Sequence, residues 1–180
     1  MDASSEMMVF IALFLVLLAA AVQHMLPSPP ATCVGIDLGT TFSCVAVFED
    51  GDITVINNAD GMSITPSVLF VPADGAEVVV GDRARPAAAR RNGTLVYDAK
   101  RFIGKAYDAA RMSDDARSLP FGVEPGWSPV RKQLEPRLAL RAGGQPLRFA
   151  PEGVGALVVR HLKQVAETHV GWPVESVVMA

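Results

Sequence analysis

The first apolar block, Met7 to Val22, is continuous rather than periodic and carries no charge. No polar face can be drawn on it, so it predicts a helix that is apolar all round. Pro27-Ser28-Pro29-Pro30 then forms a short extended linker, 27 to 31, that cannot prolong a helix. From Thr32 onward the spacing shortens to that of strands. Cys33 to Ile36 and Cys44 to Phe48 are β-branched and apolar, and Gly39 between them supplies the permissive backbone of a tight reversal. Glu49-Asp50-Gly51-Asp52 is a turn, Ile53 to Ile56 a third strand and Asn57 to Gly61 another turn, which together predict an antiparallel meander. Pro66 pushes Thr65 into extended geometry before a strand at Val68 to Val71.

Val78 to Val80 predicts a short strand, and Gly81-Asp82 opens a helix with Asp82 as its N-cap. Pro86 is tolerable only in the first turn of that helix, so the helix is expected to start late. Leu95 to Tyr97 precedes the block Asp98-Ala99-Lys100-Arg101. Between Met112 and Gly144 the chain is rich in Pro, Gly and charge, and two or three short strands are expected there. Leu138 to Leu140 and Pro146 to Phe149 should pair around Ala142-Gly143-Gly144 as a hairpin. Pro151 at a first helical position begins a helix to about Val170, which Gly171 and Pro173 stop. Val154, Val158, Leu162 and Val165 give that helix one apolar face, and Val174 to Ala180 begins a last strand.

Composition fits this picture. A chain of 180 residues, 50% hydrophobic and with a net charge of −3, has the size of one globular domain beyond the N-terminal block. All 16 Lys and Arg lie at or after Arg83, but Pro and Gly interrupt them, which argues against a nucleic-acid-binding arm. Two cysteines make neither a disulfide framework nor a metal cluster, and Cys33 and Cys44 would be diagonally offset on their paired strands. His161 and His169 lie two helical turns apart with no third ligand, which marks ordinary boundary histidines. Asn92-Gly93-Thr94 is a glycosylation sequon, of consequence only in a secretory compartment.

The apolar block ends in Ala19-Ala20-Ala21, the small-residue pattern of a secretory cleavage site, although the usual basic flank is replaced by Asp2 and Glu6. Residues 1–26 are therefore expected to be a signal peptide. If uncleaved, the run extended to Leu26 approaches the roughly 20 residues of a membrane anchor.

The candidate chemistry sits in the first reversal. Successive amides at Gly39, Thr40 and Thr41 are suited to phosphate oxygens, and Asp37 at the strand end is suited to a hydrated magnesium ion. An aspartate before a glycine turn is also ordinary turn chemistry, so this motif alone leaves both readings open. Four blocks in register decide between them: IDLGTTFSCVAVFEDG, INNADGMSITPSVLF, GD and VYDAKRFIGKAYD. In that order they resemble the nucleotide-binding domain of the seventy-kilodalton heat-shock protein family. With the apolar N-terminus, the pattern looks most like its microsome-associated branch, which has an ATPase domain and no peptide-binding domain.

That resemblance implies an α/β fold of the actin-like, ribonuclease-H-like kind, with residues 32–180 as an N-terminal lobe, a mixed sheet opening on the meander, and a smaller α/β insertion around 70 to 150. It implies ATP or ADP as ligand with Mg2+ and places Lys100 at the terminal phosphate, where it positions the attacking water. It also places Gly39, Thr40, Thr41, Phe42 and Thr65 near the nucleotide and Asp37 near the metal. Phe42 stands where the family usually has tyrosine, which removes a hydroxyl. Co-chaperones, ubiquitin-like proteins or unfolded proteins would be partners, and the endoplasmic reticulum or microsome lumen the location. The second phosphate loop, the adenosine motif and the second lobe have no counterpart in this sequence, so the fold is expected to be incomplete at its C-terminus. A truncated, non-catalytic remnant that acts by interaction is therefore the alternative to an ATP-hydrolysing chaperone. A sugar-kinase or actin relative is a third reading, since D-x-G-T occurs across that superfamily, but the ITPS and DAKR blocks favour the heat-shock branch.

Overall fold

The computed structural model describes residues 3–25, 33–49 and 51–180. The chain divides into two units, residues 1–31 and 32–180. The expected linker at 27–31, the run's extension to Leu26 and the domain start at Thr32 lie outside the described residues.

In the first unit, α1 (Ala3–Met25) is a helix of 23 residues whose described side chains, Met7 to Val22, are exposed. Among the described residues no helix is long and apolar enough to cross a membrane.

The second unit opens with the expected meander: β1 (Cys33–Leu38), β2 (Phe42–Glu49) and β3 (Asp52–Val55) are antiparallel neighbours. Two short strands follow, β4 (Thr65–Pro66), which pairs with the start of β2, and β5 (Leu69–Pro72). On the other side of β1 lies β11 (Ser176–Met179), which runs parallel to it and makes the sheet mixed. Val34, Ile36, Val45 and Val47 alternate onto one face and are buried there. They are buried with Val154, Val158, Leu162 and Ala166 of α4 (Pro151–Val170), so the helix covers that face. The α4 bounds are those the sequence predicts, with Pro151 in the first turn and Gly171 closing the helix at φ 76°. Its buried stripe ends on Ala166 rather than Val165, which is only partly buried.

The expected insertion is built of two three-stranded antiparallel sheets. One sets β5 between β6 (Val79–Val80) and β7 (Gly93–Val96), with α2 (Ala84–Arg90) against it. Asp82 is not a helix cap as expected: it lies inside a 3-10 turn, Gly81–Arg83, and α2 follows without any side-chain cap. Pro86 falls in the first turn of α2, where its missing N–H costs nothing. The other sheet sets β9 (Gln133–Ala142) between β8 (Gly122–Ser128) and β10 (Gln145–Phe149), and the β9–β10 turn carries positive φ at Gly143 and Gly144. Helix α3 (Ala109–Ala116) is not foreseen by the hydrophobic pattern. Its cap is Asp108, whose carboxylate accepts from the Ala110 and Arg111 amides.

Candidate functional site

Three residues, Gly39 to Thr41, join β1 to β2. Gly39 is needed for space rather than for a left-handed backbone, because its φ is not positive. A Cβ there would lie 2.0 Å from the Phe42 carbonyl oxygen, so the chain closes on itself too tightly for any side chain.

Successive peptide planes of this turn are held from outside it. The Leu38 carbonyl accepts from the Lys100 ammonium. The Gly39 carbonyl accepts from the Ser67 hydroxyl at 2.9 Å, and the Thr41 carbonyl from the Ser67 amide at 2.9 Å. Behind Ser67 stands Ser43, whose hydroxyl oxygen is 2.8 Å from that of Ser67. Ser67 has one hydroxyl proton and donates it to Gly39, so Ser43 must be the donor of the pair. With no cis peptide among the described residues, each N–H of this turn points opposite to the carbonyl before it. The Gly39 N–H is therefore turned away from Lys100, and the Thr40 N–H away from Ser67.

Lys100 arrives from a 3-10 turn, Ala99–Arg101, anchored by the buried side chains of Ala99 and Phe102. Its start at Asp98 is left-handed, at φ 57°, and the Asp98 carboxylate meets the Arg101 guanidinium at 3.1 Å. Lys100 itself is exposed and meets no carboxylate among the described residues. Together with Leu38, Gly39, Thr40, Ser67 and Val158 it lines a crevice of about 10 Å³. That is room for no more than one water, so a ligand would lie over the turn and not inside it.

The other expected residues, Asp37, Thr41, Phe42 and Thr65, do not line this crevice. Asp37 pairs with Cys44 in register, on the face of the sheet opposite α4, and is exposed. Phe42 shares that face at 50% exposure. Thr65 pairs with Ser43 on the α4 face, is buried, and its Cγ2 lies 2.9 Å from where a Gly81 Cβ would be. It does not line the crevice; Ser67, two residues on, does. Thr41 is exposed. The structure thus brings Gly39, Thr40 and Lys100 together, sets Asp37 and Phe42 on one side of them, and places Thr65 beneath.

No group of three or more His, Cys, Asp or Glu that would hold a metal occurs among the described residues. A magnesium ion beside Asp37 would have to bring water and phosphate oxygens as its remaining ligands, which is how that ion usually binds. The uncompensated Lys100 ammonium and the close-approach glycine fit a phosphate group. The residues present therefore fit Mg2+ with a nucleotide.

A second, larger cavity of about 450 Å³ lies between the loop at Asn57–Asp60 and α4, lined also by Asp82, His161 and His169. Burial there lowers the pKa of His161 and raises that of Asp82. His161 Nε2 is buried without a hydrogen-bond partner, and His169 reaches Glu49 at 3.1 Å. Periodicity places both histidines on α4 but does not reveal the cavity, because its other wall is a loop a hundred residues earlier in the chain.

The family profile described as "Hsp70 protein" matches residues 33–180. The chain belongs to the Hsp70 family. Over 142 residues it is 41% identical to "Heat shock 70 kDa protein BIP3" of Oryza sativa subsp. japonica, a match that covers 78% of this chain and 20% of that relative. The chain thus spans about a fifth of the length of this Hsp70 relative. Family membership carries the actin-like α/β fold class, which agrees with the mixed sheet and its α/β insertion.

Proposed function

We propose that residues 33–180 form one wall of an ATP site in an ATP-hydrolysing chaperone of the secretory pathway. The observation that carries this reading is the position of Lys100: a chain separation of 62 residues is closed to bring its ammonium to the carbonyl end of β1, beside the Gly39–Thr41 turn.

In this reading Gly39, Thr40 and Thr41 lie against the phosphates, with the Thr40 N–H and the threonine hydroxyls as donors. Lys100 spends one of its three donors on Leu38 and keeps two for the terminal phosphate and the attacking water. Its charge offsets that of the departing phosphoryl group, and the turn's fixed dipoles need no reorganisation at that moment. Asp37 would accept from water on a magnesium ion, which when bound would supply charge neutralisation of the phosphate oxygens. Phe42 presents a ring and no hydroxyl. Thr65 lies beneath the turn, paired in register with Ser43.

The helix α1 is a targeting segment in this proposal, and its continuous apolar surface supports that role. N-terminal sequencing of the mature protein separates a cleaved signal from a retained anchor. Co-chaperones, ubiquitin-like proteins and unfolded proteins are the proposed partners. Titration of the full chain with Mg-ATP tests the function: micromolar binding with turnover abolished in Lys100→Ala supports it. Absence of binding supports the alternative, a non-catalytic interaction module.

A further inference from the structure

We infer that Ser67 is the positioning residue of the phosphate turn, fixing the Gly39–Thr40 peptide plane so that the Thr40 N–H faces outward. This rests on the nucleotide reading for its purpose, but the geometry stands by itself.

Ser67 touches the turn twice. Its hydroxyl donates to the Gly39 carbonyl and its amide to the Thr41 carbonyl, each at 2.9 Å. Two carbonyls two residues apart are thus captured by one residue that is itself buried at 7% exposure. A flip of this peptide plane turns ψ of Gly39 and φ of Thr40 together, and with no Cβ on Gly39 the glycine side of the flip meets no steric bar. At Gly39 the flip would bring the carbonyl oxygen outward, where a phosphate oxygen would meet like charge in place of a donor. The Ser67 hydroxyl removes that alternative. Its own oxygen is satisfied by Ser43, which is buried at 2% exposure, so the relay runs in one direction: Ser43 to Ser67 to the Gly39 carbonyl. The Leu38 carbonyl is held separately by Lys100, and the turn therefore keeps the Gly39–Thr40 orientation before any ligand arrives.

Ser43 provides the control. Ser67→Ala and Ser43→Ala each delete one buried hydroxyl from the same relay, but only the first frees the Gly39 carbonyl. In the full chain without ligand, 15N relaxation dispersion at Gly39, Thr40 and Thr41 reads plane exchange on the microsecond to millisecond scale. Dispersion confined to those residues in Ser67→Ala, and absent from wild type and Ser43→Ala, is the expected result. Its absence from Ser67→Ala, or equal dispersion in both variants, overturns the inference. Titration with Mg-ATP should show affinity reduced about tenfold or more in Ser67→Ala and within about twofold of wild type in Ser43→Ala, a gap of about 1 kcal/mol between the variants. Equal losses in the two variants overturn the positioning role. If wild type binds no Mg-ATP while Ser67→Ala shows the local dispersion, the nucleotide reading fails and the hold of Ser67 on the turn stands.

Discussion

Lys100 donates its ammonium to the carbonyl of Leu38, 62 residues earlier in the chain. The contact joins the 3-10 turn after β7 to the last residue of β1, and it places a cation at the end of the sheet where the Gly39–Thr41 turn begins. Because the side chain is exposed and has no carboxylate partner among the described residues, its removal should hardly affect the fold. Lys100→Ala is expected to change unfolding free energy by no more than about 0.5 kcal/mol, measured by urea denaturation.

Gly39→Ala should behave in the opposite way. The added Cβ meets a backbone oxygen at 2.0 Å, which no side-chain rotation relieves. Loss of about 1–3 kcal/mol is expected. Gly35→Ala, within the preceding strand β1, has nothing nearer than 4.0 Å and should stay within about 0.5 kcal/mol of wild type. Equal effects in the two variants would show that the turn is not constrained as described.

Phe102 is 1% exposed and anchors the turn that carries Lys100. Phe102→Ala is expected to lose about 3–5 kcal/mol, a large part of a typical domain's stability. A loss below about 1 kcal/mol would mean that the ring's site collapses freely and that the Lys100 turn is held elsewhere.

His161 supplies the pH dependence. Burial lowers its folded-state pKa from 6.5, opposed by Asp82 and aided by Arg83. Below 6.5 the unfolded chain takes up a proton that the folded chain refuses, so stability falls as pH drops through that value and on toward the lower folded pKa. Asp82 acts in the other direction at lower pH, since burial raises its folded pKa above 3.8. Thermal unfolding at about pH 7.5 and 5.5 should show a loss in wild type that is smaller in His161→Gln. An equal loss in both would exclude His161 as the titrating group.

Much of the fold is legible in the sequence where one residue type settles one local question. Pro151 and Gly171 mark both ends of α4, and the apolar runs at 33–36 and 44–48 give the paired strands. What sequence reading misses depends on partners far away in the chain. Asp82 has the right chemistry for a cap but enters a 3-10 turn beside His161, and α2 begins after it. Helix α3 is short and polar, so hydrophobic rhythm is silent, although Asp108 before two alanines is a cap signal. At the site, Gly39, Thr40 and Lys100 are found from motif and resemblance, and the structure brings them together. Thr65 and Ser67 are both hydroxyls in one extended segment. Only the pairing of β4 with β2 decides that Ser67 reaches the turn while Thr65 faces Gly81.

In the proposed reading, this wall of the fold meets a nucleotide's phosphates through Lys100 and the turn beside it. The most direct test is isothermal titration of the full chain with Mg-ATP, run in parallel on wild type and Lys100→Ala. Micromolar binding by wild type and at least about a tenfold loss in the variant, equivalent to about 1.4 kcal/mol, are expected. Binding of equal strength in the two proteins, or none by wild type, would contradict this reading.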